Sequence, residues 1–223
     1  MILAIETSTP VCSVALAQSP TVVAEKRIEG KGVHSERTFT FIQELLDRYD
    51  AGIPDLEAVL FSNGPGSYTG LRIGAAAIKG LLFRQKVPLF TLPTLLSFAI
   101  PYIDSCEGTI HSVIDARREH LYYQKIVKKS DVAVEISDPA VRQIAGLEKE
   151  FDQDDIIIGT GWERLSPEIS GICKLHGTEA ISAKNLLLGW NHALIKPLFK
   201  REDVEQFEPD YLTMSQLNNT NVV

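Results

Sequence analysis

Asn63-Gly64-Pro65-Gly66-Ser67-Tyr68-Thr69-Gly70-Leu71-Arg72-Ile73-Gly74 is the stretch best equipped to hold a ligand, because it joins glycines, hydroxyls and the expected start of a helix. Gly64 and Gly66 flank Pro65, so the backbone can reach angles closed to residues with a Cβ while proline fixes its own φ. Ser67 or Thr69 is placed to cap the helix, whose free N–H groups and positive dipole end suit an anion or a partner's carboxylate. The spacing from Gly64 is G-x-G-x-x-x-G, one residue longer than a dinucleotide fingerprint, and no Gly-Lys-Ser/Thr follows it. Phosphate binding and close packing of a helix on a sheet both remain open on spacing alone.

Two carboxylates, Glu6 and Asp115, each end an expected strand and could face one cleft or serve as caps and ion-pair partners. Glu6 is followed by Thr7-Ser8-Thr9-Pro10, without a glycine to let phosphates reach the backbone. The candidate anion- or nucleotide-facing set is therefore Glu6, Thr7, Gly64, Gly66, Ser67, Thr69 and Asp115, with weak ATP or ADP binding at most. His34, His111, His120, His176 and His192 show no ligand spacing, so no metal site is assigned. Ser67 and Cys12 have no histidine near them in sequence, so no catalytic residue is assigned either.

The elements that must position these residues follow from patterning. With 223 residues and 44% hydrophobic side chains, there is enough material for one large or two small domains. A net charge of −7 argues against a surface that grips nucleic acid by itself. Cys12, Cys106 and Cys173 are too few for a disulfide framework, which points to reduced thiols and a cytoplasmic protein. Met1-Ile2-Leu3-Ala4-Ile5-Glu6 meets a carboxylate too soon for a signal peptide, and no run is long enough to span a bilayer.

Ile2–Ile5, Cys12–Leu16 and Thr21–Ile28 read as a three-strand meander, followed by a helix from His34 to Tyr49. Strand Ala58–Phe61, the glycine turn, helix Thr69–Phe83, strand Pro88–Thr91 and helix Pro93–Tyr102 complete the first half. The series implies a mixed sheet with helices on its faces. A second half repeats the rhythm: strands at Thr109–Ile114, Leu121–Val127 and Val132–Ile136, a helical stretch over Ala140–Glu150, strand Asp155–Ile158, a Gly159-Thr160-Gly161 turn, and a helix from Ser182 to about Leu194. Domains are expected at 1–102 and 103–223, the second smaller, with a frayed tail over 214–223. The two N-terminal helices carry apolar arcs wider than one sheet contact requires. Phe39, Ile42 and Leu46 on the first, and Gly70, Gly74, Ala77 and Leu81 on the second, are thus candidates to bind a partner. An isolated chain should pair with itself through these helices.

Several stretches together resemble one family: Ile2-Leu3-Ala4-Ile5-Glu6-Thr7-Ser8-Thr9 with Cys12-Ser13-Val14-Ala15-Leu16, His34-Ser35-Glu36, Gly64 through Gly74 with its Arg-Ile-Gly ending, Asp115-Ala116-Arg117-Arg118, and Glu208-Pro209-Asp210-Tyr211-Leu212. The chain resembles the TsaB (YeaZ) family, of the glycoprotease-like branch of the actin-like ATPase superfamily. The resemblance implies two ribonuclease-H-like domains and a role in making threonylcarbamoyladenosine beside the anticodon of tRNA. It also implies a scaffold subunit that pairs with the catalytic TsaD through N-terminal-domain helices, is joined by the ATPase TsaE, and contacts tRNA only indirectly. TsaD-like proteins hold a metal with two histidines at i, i+4, whereas Thr91-Leu92-Pro93-Thr94-Leu95-Leu96-Ser97-Phe98-Ala99 contains none. A glycoprotease-like metallopeptidase or a stand-alone ATPase is the alternative.

Overall fold

The computed structural model describes residues 1–19 and 22–212; the tail expected over 214–223 lies outside the described residues. The first half runs β1 Ile2–Glu6, β2 Val11–Ser19, β3 Val22–Glu29, α1 Val33–Arg48, β4 Ala58–Ser62, α2 Tyr68–Leu82, β5 Leu89–Leu92 and α3 Thr94–Ala99. The second runs β6 Ile110–Asp115, β7 His120–Ser130, β8 Ala133–Ile136, β9 Ala140–Gln143, α4 Ile144–Leu147, β10 Ile156–Ile158, β11 Lys174–His176, α5 Lys184–Asn191 and β12 Lys200–Glu202. The result is an α/β fold with two mixed sheets, ordered β12-β5-β4-β1-β2-β3 and β11-β10-β6-β7-β8, with β9 also paired to β7.

Strand β1 is central to its sheet, antiparallel to β2 and parallel to β4. Both of its faces are therefore covered, which is why it is apolar on both. Leu3 and Ile5, with Val14, Val59 and Phe61, point to α1 and α2. Ala4, Ala15 and Leu60 point the other way, into a core shared with α3, α5 and Ile110, Ile114 and Ile156 of the second sheet. The small alanines let α3 and α5 lie between the two sheets. The outer face of the second sheet closes over Val113, Leu121, Leu147 and Ile157.

Two expectations about the second half need correction, while the glycine turn stands where it was expected. Ala140–Gln143 is a strand on β7, because Val141 points inward between partly exposed Ala140 and Arg142, a period of two rather than 3.6. The expected helical stretch is confined to α4 and a 3-10 continuation, Glu148–Glu150. The Gly159-Thr160-Gly161 turn leads into a short 3-10 segment, Thr160–Arg164, with Gly161 pressed against Val113. The last helix ends at Asn191, and after it β12 returns to the first sheet, pairing Lys200 with Thr91 and Glu202 with Leu89. The last strand among the described residues thus crosses back over the division expected at residue 102. No helix among the described residues is long and apolar enough to cross a membrane.

Candidate functional site

The glycine loop is stitched on three sides. Ser67 N donates to Ser8 O at 2.6 Å, Gly64 N donates to Thr94 Oγ1 at 2.9 Å, and Asp210 N donates to Asn63 O at 2.7 Å. Gly64, at φ +118°, takes an angle that disfavours a side chain and lies against the Asp210 carbonyl, where a Cβ would collide. Gly66 is likewise pressed against Ser8. Ser67 is the N-cap of α2, its Oγ accepting from Gly70 N at 3.3 Å. Gly64 thus serves close packing, while Gly66, Ser67 and Thr69 line a cleft of about 710 Å³ between the halves.

Across that cleft stand Asp115, Arg117 and Tyr122. Asp115 Oδ1 pairs with Arg164 Nη1 at 2.7 Å and accepts from Arg117 N at 2.8 Å. Its carboxylate is committed to an ion pair that holds the β6–β7 turn.

Glu6 and Thr7 do not face the cleft, contrary to expectation. Glu6 is 1% exposed. Its carboxylate accepts from Ser8 N at 2.6 Å and from the hydroxyls of Ser8 and Ser62, because the β1–β2 turn folds Ser8 back over the strand end. Burial pushes its pKa up, against the opposing pull of the Ser62 and Ser8 hydrogen bonds. Thr7 is buried beneath α2, with Oγ1 directed at Gly74.

His34 joins the two helices to this turn. Its Nε2 donates to Thr9 O at 2.7 Å, and burial lowers its pKa, which keeps the ring neutral with the proton on Nε2. Gly70 packs against that ring and the Thr7 carbonyl. Away from the cleft, Tyr123 Oη donates to His111 Nδ1 and His111 Nε2 donates to Asp155 Oδ2, both at 2.9 Å, in a fully enclosed network. Burial drives the His111 pKa down. Among the described residues no group of three His, Cys, Asp or Glu side chains is arranged to hold a metal ion.

The outer face of α1 and α2 differs from the expected one. Ile42, Leu46, Gly70, Gly74 and Ala77 are buried within the chain, and Leu81 is half-buried. The reason is that α1 lies against both the sheet and α2, so two neighbours cover its wide arc. Phe39 remains 52% exposed and Phe83 64% exposed. Between them runs a stripe of α2 comprising Ile73, Ala76 and Gly80, with the Phe39 ring 3.9 Å from where a Gly80 Cβ would stand.

A family model described as TsaD, tRNA N6-adenosine threonylcarbamoyltransferase, matches residues 24–158, more than half of the chain. The chain belongs to the TsaD family. Within that family it is similar to the tRNA threonylcarbamoyladenosine biosynthesis protein TsaB of Bacillus subtilis, 28% identical over 218 residues that cover 96% of this chain and 95% of that one. TsaB of Haemophilus influenzae is 28% identical over 175 residues, 74% of each chain. Among solved structures, YeaZ from Pseudomonas aeruginosa superposes with a TM-score of 0.75 at 25% identity, covering 95% of this chain and 99% of that one.

The stretch matched by the TsaD-family model contains α1, α2, the glycine loop and the β6–β7 turn, and so the exposed helix face and part of the cleft, whose residues Ser8, Thr9, Pro10, Thr160 and Glu163 lie outside the match. Arg117, Arg118, Arg164 and Phe83 were missed as functional candidates. Asp115-Ala116-Arg117-Arg118 was visible as a motif, but Arg164 is 49 residues further along and only the fold brings it to Asp115.

Proposed function

We propose that this chain acts in tRNA threonylcarbamoyladenosine biosynthesis as a non-catalytic subunit that pairs with TsaD, in the cytoplasm, and that TsaE joins the pair. The observation that carries the reading is the exposure of Phe39 and Phe83 beside the small-residue stripe of α2. Two large rings flanking Ile73, Ala76 and Gly80 make a surface that another helix can approach closely. The carboxylates that a hydrolase of this fold would need are otherwise occupied: Glu6 is sealed by serines and Asp115 is held by Arg164. In the absence of TsaD the same face pairs with a second copy of the chain.

Reconstitution with TsaC, TsaD and TsaE, scoring tRNA modification with each component omitted in turn, tests this. Modification should require the chain and be lost when Phe39 and Phe83 are both replaced by Asp. Full modification without the chain, or peptide turnover by the chain alone that disappears on chelation, would overturn the reading.

A further inference from the structure

The turn joining β6 to β7 is built against its own backbone preference. Arg117 at φ +71° and Arg118 at φ +53° are consecutive left-handed residues. They open a three-residue hairpin loop, Arg117–Glu119, in which Ala116 N donates to His120 O across the loop's base and His120 N donates to Arg117 O, both at 3.2 Å. Asn and Gly adopt such angles readily, whereas long side chains do so only when their surroundings hold them there. Here the brace is Arg164, which pairs with Asp115 and also donates to the Arg118 carbonyl, while Asp115 accepts from Arg117 N.

What the brace presents is positive charge. Both arginines are exposed, and neither guanidinium makes an ion pair or hydrogen bond among the described residues, whereas neighbouring Arg164 is consumed by Asp115 and Arg142 by Glu150. What sets this couple apart from other exposed cations, such as Arg84 at φ +57°, is that it stands at the rim of the cleft. Arg117 lines the cleft and Arg118 does not. A small ligand held wholly inside the cleft would use only Arg117, whereas a strand of phosphates crossing the rim would meet both. Guanidinium forks bind phosphate oxygens in a bidentate manner.

We infer that Arg117 and Arg118 form a contact point for the phosphate backbone of RNA, engaged when the chain sits in its complex. The inference rests on the tRNA-modification reading above and departs from the sequence expectation of purely indirect tRNA contact. The acid excess of the chain leaves the bulk of RNA affinity to its partners, and this turn adds roughly one or two phosphate contacts.

The test uses the complex reconstituted with TsaD and TsaE and a tRNA substrate. Replacing both residues by Ala should weaken tRNA binding by about 3- to 30-fold at low salt and make log K against log salt shallower by about 1–2, with assembly unchanged on sedimentation. Arg117→Lys with Arg118→Lys should keep most of the affinity. Arg117→Asn with Arg118→Gly should lose affinity as the Ala pair does, yet raise the Tm of the isolated chain by relieving the turn. Unchanged tRNA affinity in an intact complex overturns the inference. So does loss of assembly, which would make the turn a protein-docking site, or loss of nucleotide binding alone. If omitting the whole chain leaves modification intact, the subunit reading fails instead.

Discussion

Gly74 of α2 faces Phe61 of β4 so closely that a β-carbon on the glycine would stand 2.7 Å from Phe61 Cε2 and would also strike the Thr7 hydroxyl. The glycine therefore sets the helix-to-sheet distance and does not provide an outward edge. Gly74→Leu should destabilise the isolated chain by about 2–4 kcal/mol in urea melts, because the core there is already filled. A variant of undiminished stability that no longer self-pairs would show that this glycine belongs to the docking face after all.

Phe39 and Phe83 are expected to behave in the opposite way. Each is more than half exposed, so Phe39→Asp or Phe83→Asp should change unfolding free energy by less than about 0.5 kcal/mol. Burying each ring against a partner is worth roughly 1.5–3 kcal/mol, so either change should weaken pairing by on the order of 10- to 100-fold. Sedimentation of the chain alone and titration against TsaD supply the readouts. Retained pairing in the double variant would remove this face from consideration.

Glu6 should leave a signature in the pH dependence of stability. Its folded pKa is raised above the unfolded value by burial, so the native state binds more protons. Stability from this group is fully present below the unfolded pKa of about 4.5 and declines as pH rises through the raised folded value. Glu6→Gln should abolish that decline while keeping partners for Ser8 and Ser62. Urea melts of wild type and variant from pH 4 to 8 would show the variant gaining on wild type as pH increases; parallel curves would mean that the carboxyl is not desolvated.

His111 has the reverse sign. Burial depresses its folded pKa, so its contribution is present above the unfolded value of about 6.5 and is lost as pH falls towards the folded one. His111→Leu should cost about 2–5 kcal/mol at pH 7.5, since Tyr123 and Asp155 each lose a buried partner. The variant should also lose less stability than wild type between pH 7 and pH 5. An unaltered acid limb would assign that titration to another group.

Much of the first half was legible because its signals are local. The expected strands at Ile2, Cys12 and Ala58 and the helices at His34 and Thr69 each begin within one residue of the observed elements. Gly64, Pro65 and Gly66 punctuate the chain whatever surrounds them, and Ser67 caps α2 by a contact only three residues away. In the second half the signals fade. β12 is Lys200-Arg201-Glu202, a strand without an apolar residue, and β9 was masked by the helix-compatible residues that follow it.

By itself the sequence determined the α/β class, the order of most strands and helices, the glycine turn and the family's signature runs, since periodicity, turn chemistry and capping act over a few neighbouring residues. Only the tertiary structure decided which apolar residues of α1 and α2 remain outside, because an arc of hydrophobic positions does not reveal how many neighbours will cover it. It also decided that Glu6 is sealed by Ser62, 56 residues away, and that Arg164 braces the Arg117–Arg118 turn from 46 residues beyond Arg118. Contacts of that range form only when the two sheets and the helices between them are assembled, so no pattern along the chain can announce them.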